Sequence, residues 1–149
     1  MEEFNSLEKV KKLFEEVNGY GEKNIIFIAY NDLQKRSGLV NGMEYPYEGL
    51  LINKNENGIG MFYLRQPVLA LSQNVAKMNV NKDSYIFVPN DDIVEIKVKN
   101  YALFNSKAKR ISIKTKDGKK HLLFTKATEK SIPYQDQNAN EFYNMYMKR

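Results

Sequence analysis

His121 is the only histidine in the chain, and an acid–base reading has to begin with it, because imidazole alone titrates near neutrality when unperturbed. A working imidazole needs a carboxylate to orient it and a nucleophile or water to serve. His121 lies inside RISIKTKDGKKHLLF (110–124), among lysines and with no carboxylate at a fixed near spacing. It is expected to be a surface histidine. Metal sites built on His or Cys are excluded by number, with one histidine and no cysteine. Gly58-Ile59-Gly60 is too short to cradle a phosphate and reads as a turn, and no nucleotide or nucleophile-elbow motif occurs. Asp91-Asp92 follows Pro89-Asn90 and reads as the start of a strand after a turn, unlike a calcium loop. The expectation is a chain that is not an enzyme, with no catalytic residue, metal or cofactor.

Charge is the chemistry that remains. The net charge is +5 with a pI near 9.2, unevenly spread. Residues 1–50 carry 6 basic and 9 acidic side chains, and residues 51–149 carry 17 and 9. With Asp117-Gly118 as a two-residue turn, Lys116 faces Lys119, Thr115 faces Lys120, Lys114 faces His121 and Ile113 faces Leu122. Side-chain alternation then groups Ile111, Ile113, Leu122 and Phe124 on a core face. The opposite face collects Arg110, Ser112, Lys114 and Lys116 with Lys119, His121 and Leu123. Like charges placed directly opposite weaken a sheet. One reading is a solvated face whose lysines discourage edge-to-edge pairing. The other is an anion-binding patch of Arg110, Lys114, Lys116, Lys119, Lys120 and His121 that receives phosphates or carboxylates. Lysine outnumbers arginine here, which argues against bidentate recognition.

The elements that must carry these residues are mostly strands. NIIFIAY (24–30), EGLLIN (48–53), IGMFYL (59–64), YIFV (85–88), IVEIKVK (93–99), RISIKTK (110–116) and KHLLF (120–124) are β-branched and aromatic runs between turn clusters. Asn57-Gly58 is a second hairpin signal, and VLALSQNVAKM (68–78) reads as strand or irregular. In DDIVEIKVK, Val94, Ile96 and Val98 alternate with Glu95, Lys97 and Lys99, giving one buried and one wet face. NIIFIAY, GLLI and MFYL are apolar on both faces and need cover on both sides.

Two helices are expected to supply cover. Phe4, Leu7, Val10, Leu13, Phe14 and Val17 form an amphipathic stripe over 1–19, with Asn5 and Glu8 as a capping box and Asn18-Gly19 as the stop. Ala139, Phe142, Met145 and Tyr146 form one face of a helix over 138–149, capped by Asn138. At 149 residues with 42% hydrophobic content, one domain is the simplest organisation: a helix at 1–19, strands over about 24–125, and the closing helix. MEEFNSLEKVKK lacks the apolar core of a signal peptide, and no run reaches the roughly 20 apolar residues of a membrane span. A soluble, cytoplasmic protein is expected.

Seven strands followed by an amphipathic helix is the order of a pleckstrin-homology-like barrel. The segments YEGLLINKNENGIGMFY, VPNDDIVEIKVK, RISIKTKDGKKHLLF and NANEFYNMYMKR resemble bacterial PH-like domains of uncharacterised proteins over about residues 47–149. The resemblance implies an α+β, mainly β fold: a seven-stranded antiparallel barrel or pair of curved sheets, with the last helix plugging one end. It also implies a non-enzymatic binding module. Lipid-binding members cluster Lys and Arg between their first strands, where Lys35 and Arg36, or Lys54, are the nearest counterparts here. The expected partner is a protein, including a second copy, through an apolar surface at Leu51, Phe62 and Leu64. Acidic lipid headgroups or nucleic acid bound through the basic strand face are the alternative. Ten tyrosines permit nucleic-acid contact but show no clustered stacking pattern.

Overall fold

The apolar stripe near the N-terminus folds as α1 (Leu7–Glu16), capped by Ser6, whose hydroxyl accepts from the Lys9 N–H at 3.3 Å. The expected cap, Asn5, instead accepts from the Lys9 ammonium at 3.0 Å. Asn18 takes a left-handed φ of 57°, which lets the Gly19 N–H close back on the Phe14 carbonyl at 2.7 Å and end the helix. The computed structural model describes residues 4–31, 49–65, 78–102, 105–126, 129 and 131–147. Lys35, Arg36 and most of the 68–78 run lie outside these.

Seven strands follow: β1 (Ile25–Asn31), β2 (Gly49–Asn55), β3 (Gly58–Arg65), β4 (Asn79–Pro89), β5 (Ile93–Ala102), β6 (Asn105–Thr115) and β7 (Lys120–Lys126). They form one antiparallel sheet in the order β4-β3-β2-β1-β7-β6-β5. β4 and β5 are thus its two edges, yet only the single-turn 3-10 segment Asn90–Asp92 joins them. Four residues of chain reach at most about 14 Å, while a flat seven-stranded sheet is about 29 Å across. The sheet must roll. Ile59 and Met61 of β3 accordingly share a hydrophobic cluster with Val98 of β5 and Ile111 and Ile113 of β6. The barrel expected from sequence does not close, because β4 and β5 share no ladder.

α2 (Gln135–Tyr146) fills the inside of the roll. Ala139, Phe142 and Tyr143 are buried against Phe27 and Ala29, with the Phe142 ring centred 4.8 Å from that of Phe27 and tilted 46° to it. The helix starts three residues before the expected cap, with Tyr134 at the N-cap position. Met145, expected in the plug, is 54% exposed. α1 covers the outer face of β1–β4, where Phe14, Phe62 and Tyr85 meet at ring distances of 5.0–6.3 Å. The two-sided cover that strands β1–β3 require is therefore met within the chain by the two helices.

The joint between the halves of the sheet is narrow. β1 and β7 pair only at Tyr30–Phe124 and Asn31–Leu123. Below that point the strands part, and α2 inserts side-chain amides. Gln135 accepts from the Ile28 N–H at 2.7 Å and donates to the carbonyls of Ile28 and Lys126 at 3.0 and 2.7 Å. Asn138 donates to the Ile26 carbonyl at 2.8 Å. A side chain here takes the place of a neighbouring strand.

Candidate functional site

The β6–β7 hairpin turns through three residues, not two. Thr115 N–H donates to the Lys119 carbonyl at 3.0 Å, Gly118 takes φ 85°, and Asp117 accepts from the Lys119 N–H at 3.0 Å and from the Thr115 hydroxyl. These hydrogen bonds hold the Asp117 carboxyl below its usual range. The extra residue shifts the pairing by one, so Lys114 faces Lys120, Ile113 faces His121, Ser112 faces Leu122, Ile111 faces Leu123 and Arg110 faces Phe124. A one-residue slip exchanges the faces of a strand. Leu123 therefore joins Ile111 and Ile113 inside the roll, Phe124 joins the outer cluster under α1, and Leu122 is half-buried.

This register decides where the predicted basic residues lie. Across β5, β6 and β7 the outer face carries the rows Glu95–Lys114–Lys120, Lys97–Ser112–Leu122 and Lys99–Arg110–Phe124. Arg110, Lys114 and Lys120 thus share one face, joined by Lys97 and Lys99. Lys116 and Lys119 are exposed at the turn. His121 departs from the patch: it lies on the concave side in the row of Ile96 and Ile113. Neither expected cross-strand basic pair, Lys116–Lys119 or Lys114–His121, forms; the shifted register instead sets Lys114 opposite Lys120, and Glu95 sits beside Lys114.

Leu51, Phe62 and Leu64, expected as an interaction surface, are buried in the outer cluster as the seat of α1. Val94, expected on the core face, is 57% exposed because a bulge between Ile93 and Glu95 turns Ile93 inward in its place. Gly58-Ile59-Gly60, read as a turn, opens β3; the turn itself is Glu56-Asn57. Lys54 is tied to that turn, its ammonium donating to the Asn55 carbonyl at 2.7 Å, and burial lowers its pKa.

Two features escape the sequence. The first is a buried polar group at the β1–β7 joint, where the Tyr30 hydroxyl donates to the Glu129 carboxylate at 2.6 Å and Lys126 lies 3.8 Å from Glu129. Burial pushes the Glu129 carboxyl up, and burial with the neighbouring carboxylate pushes the Tyr30 phenol up. Tyr30, Glu129 and Lys126 thus hold one another across the joint. The second is a cleft of about 400 Å³ along the outer edge of β5, which ends the sheet among the described residues; it is lined by Lys97, Val98, Lys99, Asn100, Tyr146 and Met147. Met147, just past α2, makes a parallel bridge to Val98. The edge thus already accepts extended backbone. The alternation at 93–99 placed Lys97 and Lys99 in water, but no local signal could show that β5 is a sheet edge.

Among the described residues no group of three His, Asp or Glu side chains could hold a metal ion, and no helix is long and apolar enough to cross a membrane. No protein-family model matches the chain, and no curated protein or solved structure is found to be similar to it.

Proposed function

We propose that this chain is a non-enzymatic interaction module on a PH-like framework, which binds an extended segment of a partner protein along the outer edge of β5. The observation that supports the reading is the cleft beside that edge, floored by Val98, Tyr146 and Met147 and already bridged at Val98 by the chain's own backbone. Adding a strand to an exposed edge supplies main-chain hydrogen bonds, and pockets for alternate side chains supply specificity. The test is selection from a random decapeptide display library followed by amide hydrogen exchange of each complex. Protection is expected to rise at residues 97–100. Selected peptides that protect only other strands refute the proposal.

A second reading, docking to acidic lipid headgroups or nucleic acid, is favoured by the collection of Lys99, Arg110, Lys114 and Lys120 on one outer face. Its sign is binding to phosphatidylserine vesicles or a DNA duplex that weakens steeply with salt and disappears in Lys114→Glu/Lys120→Glu.

A further inference from the structure

We infer that the segment taken up at the β5 edge is acidic on one face and apolar on the other, with carboxylates at alternate positions flanking an apolar residue. This rests on the strand-addition reading above and narrows it to a partner chemistry. Side chains on neighbouring strands stand in rows across a sheet, and directly opposed residues interact most strongly. Along the cleft, which spans residues 97–100 and leaves the Glu95 row outside it, the rows that an added strand would extend begin with Lys97 and Lys99 on the outer face. Between them the row of Val98 points inward, where Tyr146 and Met147 complete the cleft. A residue opposite Lys97 and its neighbour two positions on, opposite Lys99, therefore meet ammonium groups. The residue between them meets an apolar floor.

Charge also selects against a second copy of this chain as the occupant. A two-fold antiparallel pairing of β5 edges centred on Val98 sets Lys97 opposite Lys99 twice, and like charges in opposed positions are destabilising. Both lysines have room to turn toward a newcomer. Among the described residues Lys97 is held by an exposed 3.6 Å ion pair with Glu95, the kind worth little in water, and Lys99 is exposed. Behind them Arg110 and Lys114 continue the positive field across the face. Among the described residues the Met147 bridge is what an incoming segment replaces.

The experiment uses three probes: acetyl-GEVEVEG-amide, acetyl-GKVKVKG-amide and acetyl-GESESEG-amide, each with a fluorescent label for anisotropy at low salt. The full chain and its Lys97→Glu/Lys99→Glu variant are compared, with Lys97→Gln/Lys99→Gln as a milder change should the first fail to fold. Thermal melting checks each variant. The native chain is expected to bind the Glu–Val peptide at least about tenfold more tightly than either other peptide, the size expected of two opposed charge pairs made or reversed. Charge reversal in the protein is expected to invert the preference toward the Lys–Val peptide, and neutralisation to erase it. Equal affinity for the Glu–Val and Lys–Val peptides, or a preference unmoved by the variants, overturns the acidic-segment inference and leaves strand addition standing where exchange still protects residues 97–100. If no peptide, designed or library-selected, protects those amides, the edge is closed and both readings fall.

Discussion

Replacing Gln135 by Met deletes an amide from a fully buried position while keeping nearly the same volume. In the native chain that amide accepts from the Ile28 N–H and donates to the carbonyls of Ile28 and Lys126, with a longer 3.3 Å contact to the Thr125 hydroxyl. The Ile28 carbonyl keeps one donor, the Thr125 hydroxyl at 2.8 Å. The Ile28 N–H is left with none of these side-chain acceptors, deep beneath α2. A typical internal hydrogen bond contributes about 1 kcal/mol net, and a buried donor left unsatisfied costs about 1–3 kcal/mol. Two lost bonds and one orphaned donor sum to about 3–5 kcal/mol, a large share of a typical total stability of about 5–15 kcal/mol. At a length near 150 residues this lowers the melting temperature by about 10 °C. Urea titration of Gln135→Met against the native chain gives the free energy, and exchange of the Ile28 amide locates it. A loss below about 1 kcal/mol, or an Ile28 amide as protected as before, would mean that β1 and β7 are held by something other than this wedge.

Burial raises the Glu129 carboxyl above the ordinary 4.5, so the unfolded chain ionises first as pH climbs. Stability therefore falls as pH rises from about that value through the raised native one, and it is regained on acidification. Glu129→Gln keeps an acceptor for Tyr30 and is expected to flatten this slope in urea titrations between pH 4 and 8; an unchanged slope refutes the assignment. Gly58 holds φ 152°, and a Cβ there would lie 2.2 Å from the Val88 carbonyl oxygen. Gly58→Ala should cost about 2 kcal/mol or more by chemical denaturation, and a neutral result would show that the β3–β4 contact is loose.

How far the sequence could be read divides along physical lines. Existence and type of the elements were legible, because Val10, Leu13 and Phe14 recur with a helical period and β5 alternates with a period of two. Boundaries were less so: β4 and β6 run several residues past their apolar cores, through mostly polar stretches in which Val80 and Ala108 are isolated buried positions. The hairpin register failed for a specific reason. Asp-Gly is compatible with a two-residue turn and with a three-residue one that ends on a left-handed glycine, and the Thr115 and Asp117 side-chain bonds select the latter. That one residue moved His121 and Leu123 to the concave side and Leu122 and Phe124 to the outer one. The β5 cleft was illegible because it is made by which strands end the sheet and by where a helix 40 residues later comes to rest.

The narrow β1–β7 joint bears on how the polypeptide is made. β1 to β4 pair with one another in chain order, so the ladders among these four strands need no residue beyond 89. One margin of this meander, the β1 backbone around Ile26 and Ile28, then waits for acceptors and donors that arrive with Gln135 and Asn138, more than 100 positions later. During synthesis that margin is an adhesive strip, and the interval before α2 docks is when a nascent chain is most exposed to pairing with the wrong neighbour.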